Sequence, residues 1–210
     1  MAKVVVVGTS HVSPQSMRQA QETIRKMRPD CVAVELCPER YQALIDRRRG
    51  EEKPSIREPL FYVFYALQNH LGKKTGTMPG SEMLAAIESA REVGSRIVLI
   101  DMDIGTISGK IGSLGRWEKA KLLGTVLYGA TFGGLGKKVD LSKVPPERMI
   151  DEAMTYLKKS HKKFYKILVE DRNDYMVAWI RRLSKDYKKI VVVVGAGHKK
   201  GIERMLRRKK

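Results

Sequence analysis

Lys189–Gly201 reads KIVVVVGAGHKKG, and Lys3–His11 reads KVVVVGTSH. Each stretch is a lysine, a β-branched apolar run, and then Gly-x-x-His: Gly8-Thr9-Ser10-His11 near the start, Gly195-Ala196-Gly197-His198 near the end. A short apolar run of this composition, bounded by glycine, reads as a buried strand. If both runs belong to one parallel sheet, His11 and His198 lie just past strand carboxyl ends, where open α/β sheets bind ligands. The two histidines are therefore expected to share one site.

Working outward, Lys3–Gly8 is followed by Ser13 as a helix cap and Pro14 at the first helical position. Met17, Ala20, Ile24 and Met27 then recur at helical spacing, and Arg28-Pro29-Asp30 ends the helix before an apolar run, Cys31–Leu36. Strand, helix and strand within so few residues make a βαβ unit, which implies parallel pairing. Pro38–Arg49 reads as a helix with Tyr41, Leu44 and Ile45 on its buried face. Leu60–Leu71 predicts another helix, with Phe61, Tyr62, Phe64 and Tyr65 as core or, as a second reading, a dimer interface or substrate groove. His70 is read as surface. Ser81 is expected to cap a helix over Glu82–Val93, and Arg96–Ile100 is a third strand running into Asp101-Met102-Asp103.

Residues 104–144 read as a glycine-rich, helical, lid-like insertion, with Trp117–Leu127 as its helix. Pro145-Pro146-Glu147 opens a long helical tract, in which His161, among four lysines, is expected in solvent. Charged and amide groups at Glu170–Asp174, close to an apolar face, read as a polar layer lining a site or as an exposed turn. The expected architecture is one α/β domain over residues 1–210: a mainly parallel sheet with helices on both faces and a helical insertion.

Composition bounds the setting. With 210 residues and 42% hydrophobic content, the chain can bury a core of ordinary size. No apolar run reaches the roughly 18 residues needed to span a bilayer, and the N-terminal valines are too few for a signal peptide, so a cytoplasmic location is expected. Cys31 and Cys37 would stand about 20 Å apart on an extended strand, too far to bridge. The net charge is +18. Its basic clusters carry no zinc-finger, RNP or helix-turn-helix pattern, which argues against specific nucleic-acid recognition. What remains is a solvated, lysine-rich surface of the kind thermophiles carry, or weak, salt-sensitive association with polyanions or an anionic membrane face, the last giving a protein peripheral to the membrane.

The chemistry converges on few residues. Gly195, Gly197 and Gly201 miss the spacing of a dinucleotide loop, and no Gly-Lys-Ser/Thr makes a P-loop. A glutamate at the end of an apolar strand, Glu35, is costly unless paired with a cation or, more simply, with Arg40 at a rim. His11, Glu35 and His198 together form a three-ligand set for a divalent ion that leaves positions open for water or substrate. Alternatively, one histidine acts as a general base beside Glu35 without a metal. Gly8, Gly195 and Gly197 allow the backbone to turn sharply at those strand ends. Asp101 and Asp103, at the end of the third strand, serve either as metal-shell or positioning groups or as helix caps.

These residues resemble the TraB/PrgY family, related to Tiki metalloproteases, GumN and erythromycin-esterase-like proteins. The matching segments are Gly8–Ser13, Val34-Glu35-Leu36-Cys37-x-x-Arg40-Tyr41, Arg172-Asn173-x-x-Met176 and Gly195-x-Gly197-His198-x-x-Gly201-Ile202. The resemblance implies an α/β core with paired Gly-x-x-His motifs and a functional glutamate. By analogy with the Tiki branch it implies a metal-dependent hydrolase, a peptidase using manganese or cobalt, and zinc is the further divalent ion that the His11, Glu35 and His198 set would take. Arg40 and Arg172 would then steady a carboxylate or developing negative charge, with Asn173 in support. The alternative is a non-catalytic peptide- or pheromone-binding module that docks on a membrane or polyanion through its basic surface. Family members commonly carry Asp-Arg-Asp where this chain has Asp101-Met102-Asp103, and longer relatives continue into membrane helices, so a soluble form or a truncation is expected here.

Overall fold

Among the described residues four parallel strands form the central sheet in the order β1-β4-β2-β3, where β1 is Lys3–Thr9, β2 Cys31–Val34, β3 Arg96–Leu99 and β4 Lys189–Gly195. The computed structural model describes residues 2–9, 14–51, 80–131 and 147–208. His11, Ser13, the predicted helix Leu60–Leu71 with its aromatic cluster, and His70 lie outside the described residues.

The two valine runs pair with each other, Lys3 opposite Lys189 through Thr9 opposite Gly195, so the two Gly-x-x-His stretches leave the sheet at the same edge. The apolar runs are continuous rather than alternating because both sheet faces are covered. Val191 and Val193 of β4 and Val32 and Val34 of β2 face one core, with Ala20 and Ile24 of α1 (Pro14–Met27) and Met83, Ala86 and Ala90 of α3 (Ser81–Glu92). Ile190, Val192 and Val194 face the other core, with Met176 and Ile180 of α8 (Asp171–Asp186) and Ile202 of α9 (Ala196–Arg207).

Several local expectations are corrected. β2 ends at Val34, so Glu35 lies just beyond the strand rather than inside it. Gly80, at φ 91°, occupies the cap position ahead of α3, and Ser81 is the first helical residue. A left-handed residue suits glycine there, and an added Cβ would come within 2.7 Å of a Leu44 methyl. In α2 (Pro38–Arg49) no residue is fully buried; Tyr41 and Leu44 pack part-buried against the first core.

The insertion contributes α4 (Ile104–Gly112) and α5 (Arg116–Thr131), and residues 132–146 lie outside the described set. The tract after it is broken rather than continuous: α6 (Glu147–Ser160), α7 (Lys162–Tyr165), a π-helical turn Lys166–Glu170, then α8. Ile107, Ile111, Leu122, Phe164 and Ile167 join these pieces in a third, smaller core.

His161, expected in solvent, is buried at the α6–α7 break, its Nε2 3.0 Å from Thr125 Oγ1. The Thr125 hydroxyl donates to the Lys121 carbonyl, so the ring nitrogen is the donor to that oxygen. Burial, reinforced by the Lys121 ammonium, pushes the imidazole below its ordinary value of 6.5. The unfolded chain therefore takes up this proton first as the pH falls. The stability tied to His161 is complete above 6.5 and declines from there down to the depressed folded value. His161→Gln is expected to flatten that part of the profile, as read by urea unfolding at pH 7.5, 6.5 and 5.5. An unchanged acid slope would contradict the assignment.

Candidate functional site

The carboxyl edge of the sheet gathers the buried side chains of Glu35, Asp101, Arg172, Asn173 and His198 from distant parts of the chain. Glu35 follows β2 directly. Its Oε2 accepts the Gly195 N–H at 2.6 Å, so the carboxylate caps the end of β4 at the N-terminus of α9. A helix N-terminus, with its exposed amides and positive dipole end, favours an anion there. Its Oε1 accepts from Arg172 Nη2.

Arg172 stands on the first turn of α8, directly after the π-helical turn, and is held on every side. Nε donates to Asp101 Oδ1 at 2.9 Å, Nη2 to Asp101 Oδ2 at 2.8 Å, and Nη1 to the Leu168 carbonyl at 3.3 Å. Burial opposes its charge, but Glu35 and Asp101 outweigh burial and hold the guanidinium above its ordinary range. Asp101 also accepts from its neighbour's amide, Met102 N, at 2.8 Å, and from Arg40 Nη1 at 2.7 Å. Two carboxylates and two guanidiniums thus balance in a chain: Glu35, Arg172, Asp101, Arg40. The rim pairing of Glu35 with Arg40 does not occur; Arg40, one-third exposed, pairs with Asp101 instead.

His198 lies on the first turn of α9, 7% exposed. Its Nδ1 is 2.7 Å from Asn173 Oδ1, an atom that can only accept, so Nδ1 carries the proton. The other nitrogen, Nε2, faces Glu35 Oε1, 3.5 Å away. Two electron-pair donors facing each other at that distance accommodate either a proton on the ring or a shared cation. An imidazole and a carboxylate suit zinc, cobalt or manganese, and a metal-binding histidine is oriented from behind by an acceptor on its other nitrogen, the position that Asn173 Oδ1 takes here. Among the described residues no three His, Cys, Asp or Glu side chains converge on one point; His11, the third ligand expected from the sequence, lies outside them.

Glycines allow the close packing around this pair. A Cβ on Gly8 would meet Lys199 Cδ at 3.0 Å, one on Gly197 would meet Met154 Sδ at 3.3 Å, and one on Gly201 would fall 2.4 Å from Asn173 Nδ2. Gly201 belongs to the segment that resembles the family and misses the dinucleotide spacing, but no local pattern in the sequence shows that it packs on Asn173. One helical turn from His198, it faces the same neighbour. Asp103, by contrast, is exposed and caps α4, accepting the Thr106 N–H at 2.7 Å.

Residues 2–210 match the TraB/PrgY/gumN family from end to end. The chain belongs to that family. An uncharacterised protein of Methanocaldococcus jannaschii is 33% identical over 98% of this chain and 53% of its own length. TraB domain-containing proteins of Bos taurus and Homo sapiens are each 25% identical over 97% of this chain and 62% of theirs. The chain therefore spans roughly half to three-fifths of the length of these relatives. For this TraB/PrgY/gumN member, the Gly-x-x-His, Glu35 and Arg172-Asn173 segments named above meet at one edge through Glu35, Arg172, Asn173 and His198, with Asp101 and Arg40 behind them. Among the described residues no helix is long and apolar enough to cross a membrane.

Proposed function

We propose that the chain is a metal-dependent hydrolase acting on peptides, with His198 and Glu35 at its centre. The observation that carries this reading is the orientation of His198: Asn173 holds Nδ1–H, and Nε2 faces Glu35 Oε1 at 3.5 Å. Gly195 N–H and Arg172 hold both oxygens of the Glu35 carboxylate in place, so it meets a water or a cation without first reorganising. Arg172 is anchored by Asp101 and acts as a fixed charge, whereas Arg40, with one hydrogen bond to Asp101 and an exposed remainder, is the guanidinium able to meet a substrate carboxylate. A divalent cation, held by His198 and Glu35 with His11 as the expected third ligand, would polarise a carbonyl or acidify water.

The test uses untagged, chelator-stripped protein. Calorimetric titration with Mn²⁺, Co²⁺ and Zn²⁺ is expected to give one site per chain in the wild type and none in His198→Ala. At one hundred times Kd the metal should add about 2.7 kcal/mol of stability to the wild type only. Glu35→Gln is expected to weaken metal binding at least roughly tenfold and to abolish cleavage of a mixed peptide library followed by mass spectrometry. No metal uptake, together with equal melting temperatures for wild type and His198→Ala, would sink the proposal.

A further inference from the structure

We infer that the outer edge of β1 accepts an extended, acidic peptide as an added strand and leads it toward His198; only the cleavage of that peptide rests on the hydrolase reading. The backbone geometry defines the edge. Lys3 N–H donates to the Lys188 carbonyl, and β1 pairs in parallel register with β4 from Lys3 to Thr9. In a parallel ladder the N–H and C=O of one residue face the same neighbour. Lys3, Val5, Val7 and Thr9 therefore bond to β4, while Val4, Val6 and Gly8 turn their amides and carbonyls outward. Among the described residues β1 is the end strand, and Val4, Val6 and Gly8 are part-exposed. A seven-residue β-branched edge is long and adhesive, and sheets recruit extended peptides on such edges.

Charge selects the occupant. Lys3 is exposed at one end of the edge, and the stem of Lys199 lies over Gly8 at the other. The helix that packs on β1, α9, carries Lys199, Lys200, Arg204 and Arg207 against a single acid, Glu203. A second copy, paired antiparallel on this edge, would bring Lys3 of each chain against the Lys199 end of the other, and both copies carry +18. Like charges brought opposite each other are disfavoured, whereas an acidic strand meets a basic residue at both ends. Thr9, the last residue of β1, is opposite Gly195, the residue whose amide holds Glu35. An added strand lies two strand spacings, about 10 Å, from β4. Residues of the peptide just past Thr9 therefore arrive at the sheet edge that carries Glu35 and His198.

The probe is an eight-residue peptide of alternating valine and glutamate with an N-terminal fluorophore, followed by anisotropy on His198→Ala protein so that nothing is cleaved. N-methylation of the alternate peptide nitrogens that face β1 is expected to weaken binding more than roughly tenfold, because each methylated residue loses its main-chain donor. Lysine in place of glutamate should abolish binding, and raising NaCl should weaken binding of the acidic form. On the protein side, Val6→Pro removes an outward N–H and leaves the β4 ladder intact, so the fold survives while affinity drops by a similar factor. Equal affinity for the methylated and parent peptides, or for the lysine and glutamate peptides, overturns the inference. Binding with this pattern but no cleavage by metal-loaded wild type would fail the hydrolase reading and leave the edge assignment standing. Cleavage of peptides indifferent to N-methylation would do the reverse.

Discussion

Arg172→Met is expected to lower folding stability by roughly 3–5 kcal/mol, the cost of leaving buried carboxylates without their cation. The methionine matches the arginine in apolar length, so packing is largely kept and the loss is electrostatic. Three nitrogens of Arg172 connect Glu35, Asp101 and the Leu168 carbonyl, and Asp101 is 4% exposed. Water cannot replace those donors. Arg172→Lys should recover less than half of the loss, since an ammonium is a point charge and cannot span Nε and Nη2 partners on two carboxylates at once. Arg40→Met, at the exposed end of the same chain of charges, should cost far less, about 1 kcal/mol or below. Urea unfolding of the three variants at pH 7 makes the comparison. Stability of Arg172→Met within 1 kcal/mol of wild type would mean that the network is not structural in the way its geometry implies.

The second large effect concerns a residue with no side chain. Glycine inside a helix normally costs about 1 kcal/mol relative to alanine, so Gly201→Ala on a plain helix would stabilise. Here the added Cβ would meet Asn173 Nδ2 at 2.4 Å, and Asn173 is itself buried. Its amide must rotate or α9 must shift, and either movement takes Oδ1 away from His198 Nδ1. The expected result is a destabilisation of roughly 1–3 kcal/mol instead of a gain. Metal affinity and any hydrolysis should fall roughly 10- to 100-fold, as when an outer partner of a ligating histidine is lost. Scanning calorimetry and metal titration on the same preparation read both. A variant that is more stable and binds metal normally would remove Asn173 from its assigned role.

How much of this was legible in the residues depends on the kind of information each feature needs. The two valine runs ending in Gly-x-x-His are local patterns, and they marked the strands and the edge where His198 sits. Glu35 was legible because a carboxylate at the end of an apolar run has few cheap explanations. Arg172 and Asn173 stood in a visibly polar stretch of a helix. What the residues could not convey was pairing across long separations. Glu35 with Arg172 rather than Arg40, and Asp101 between the two guanidiniums, follow from the strand order, which no periodicity encodes. The burial of His161 depends on a helix break and on Thr125 of another helix. The lysines around it made the opposite expectation natural. Gly201 required knowing which residue faces it.

The position of β4 has a kinetic consequence. It follows β1, β2 and β3 in the chain yet lies between β1 and β2, and its Gly195 amide reaches back 160 residues to Glu35. Until residues 189–195 are available, β1 has no strand partner among the described residues, and β2 can pair only with β3. Sheets closed by such distant contacts form slowly, because a large loop must close before the pairing repays it. During synthesis the sheet therefore stays unfinished and adhesive until residues 189–195 emerge, and α9 must follow with Ile202 and His198 before the second core and the candidate site are complete.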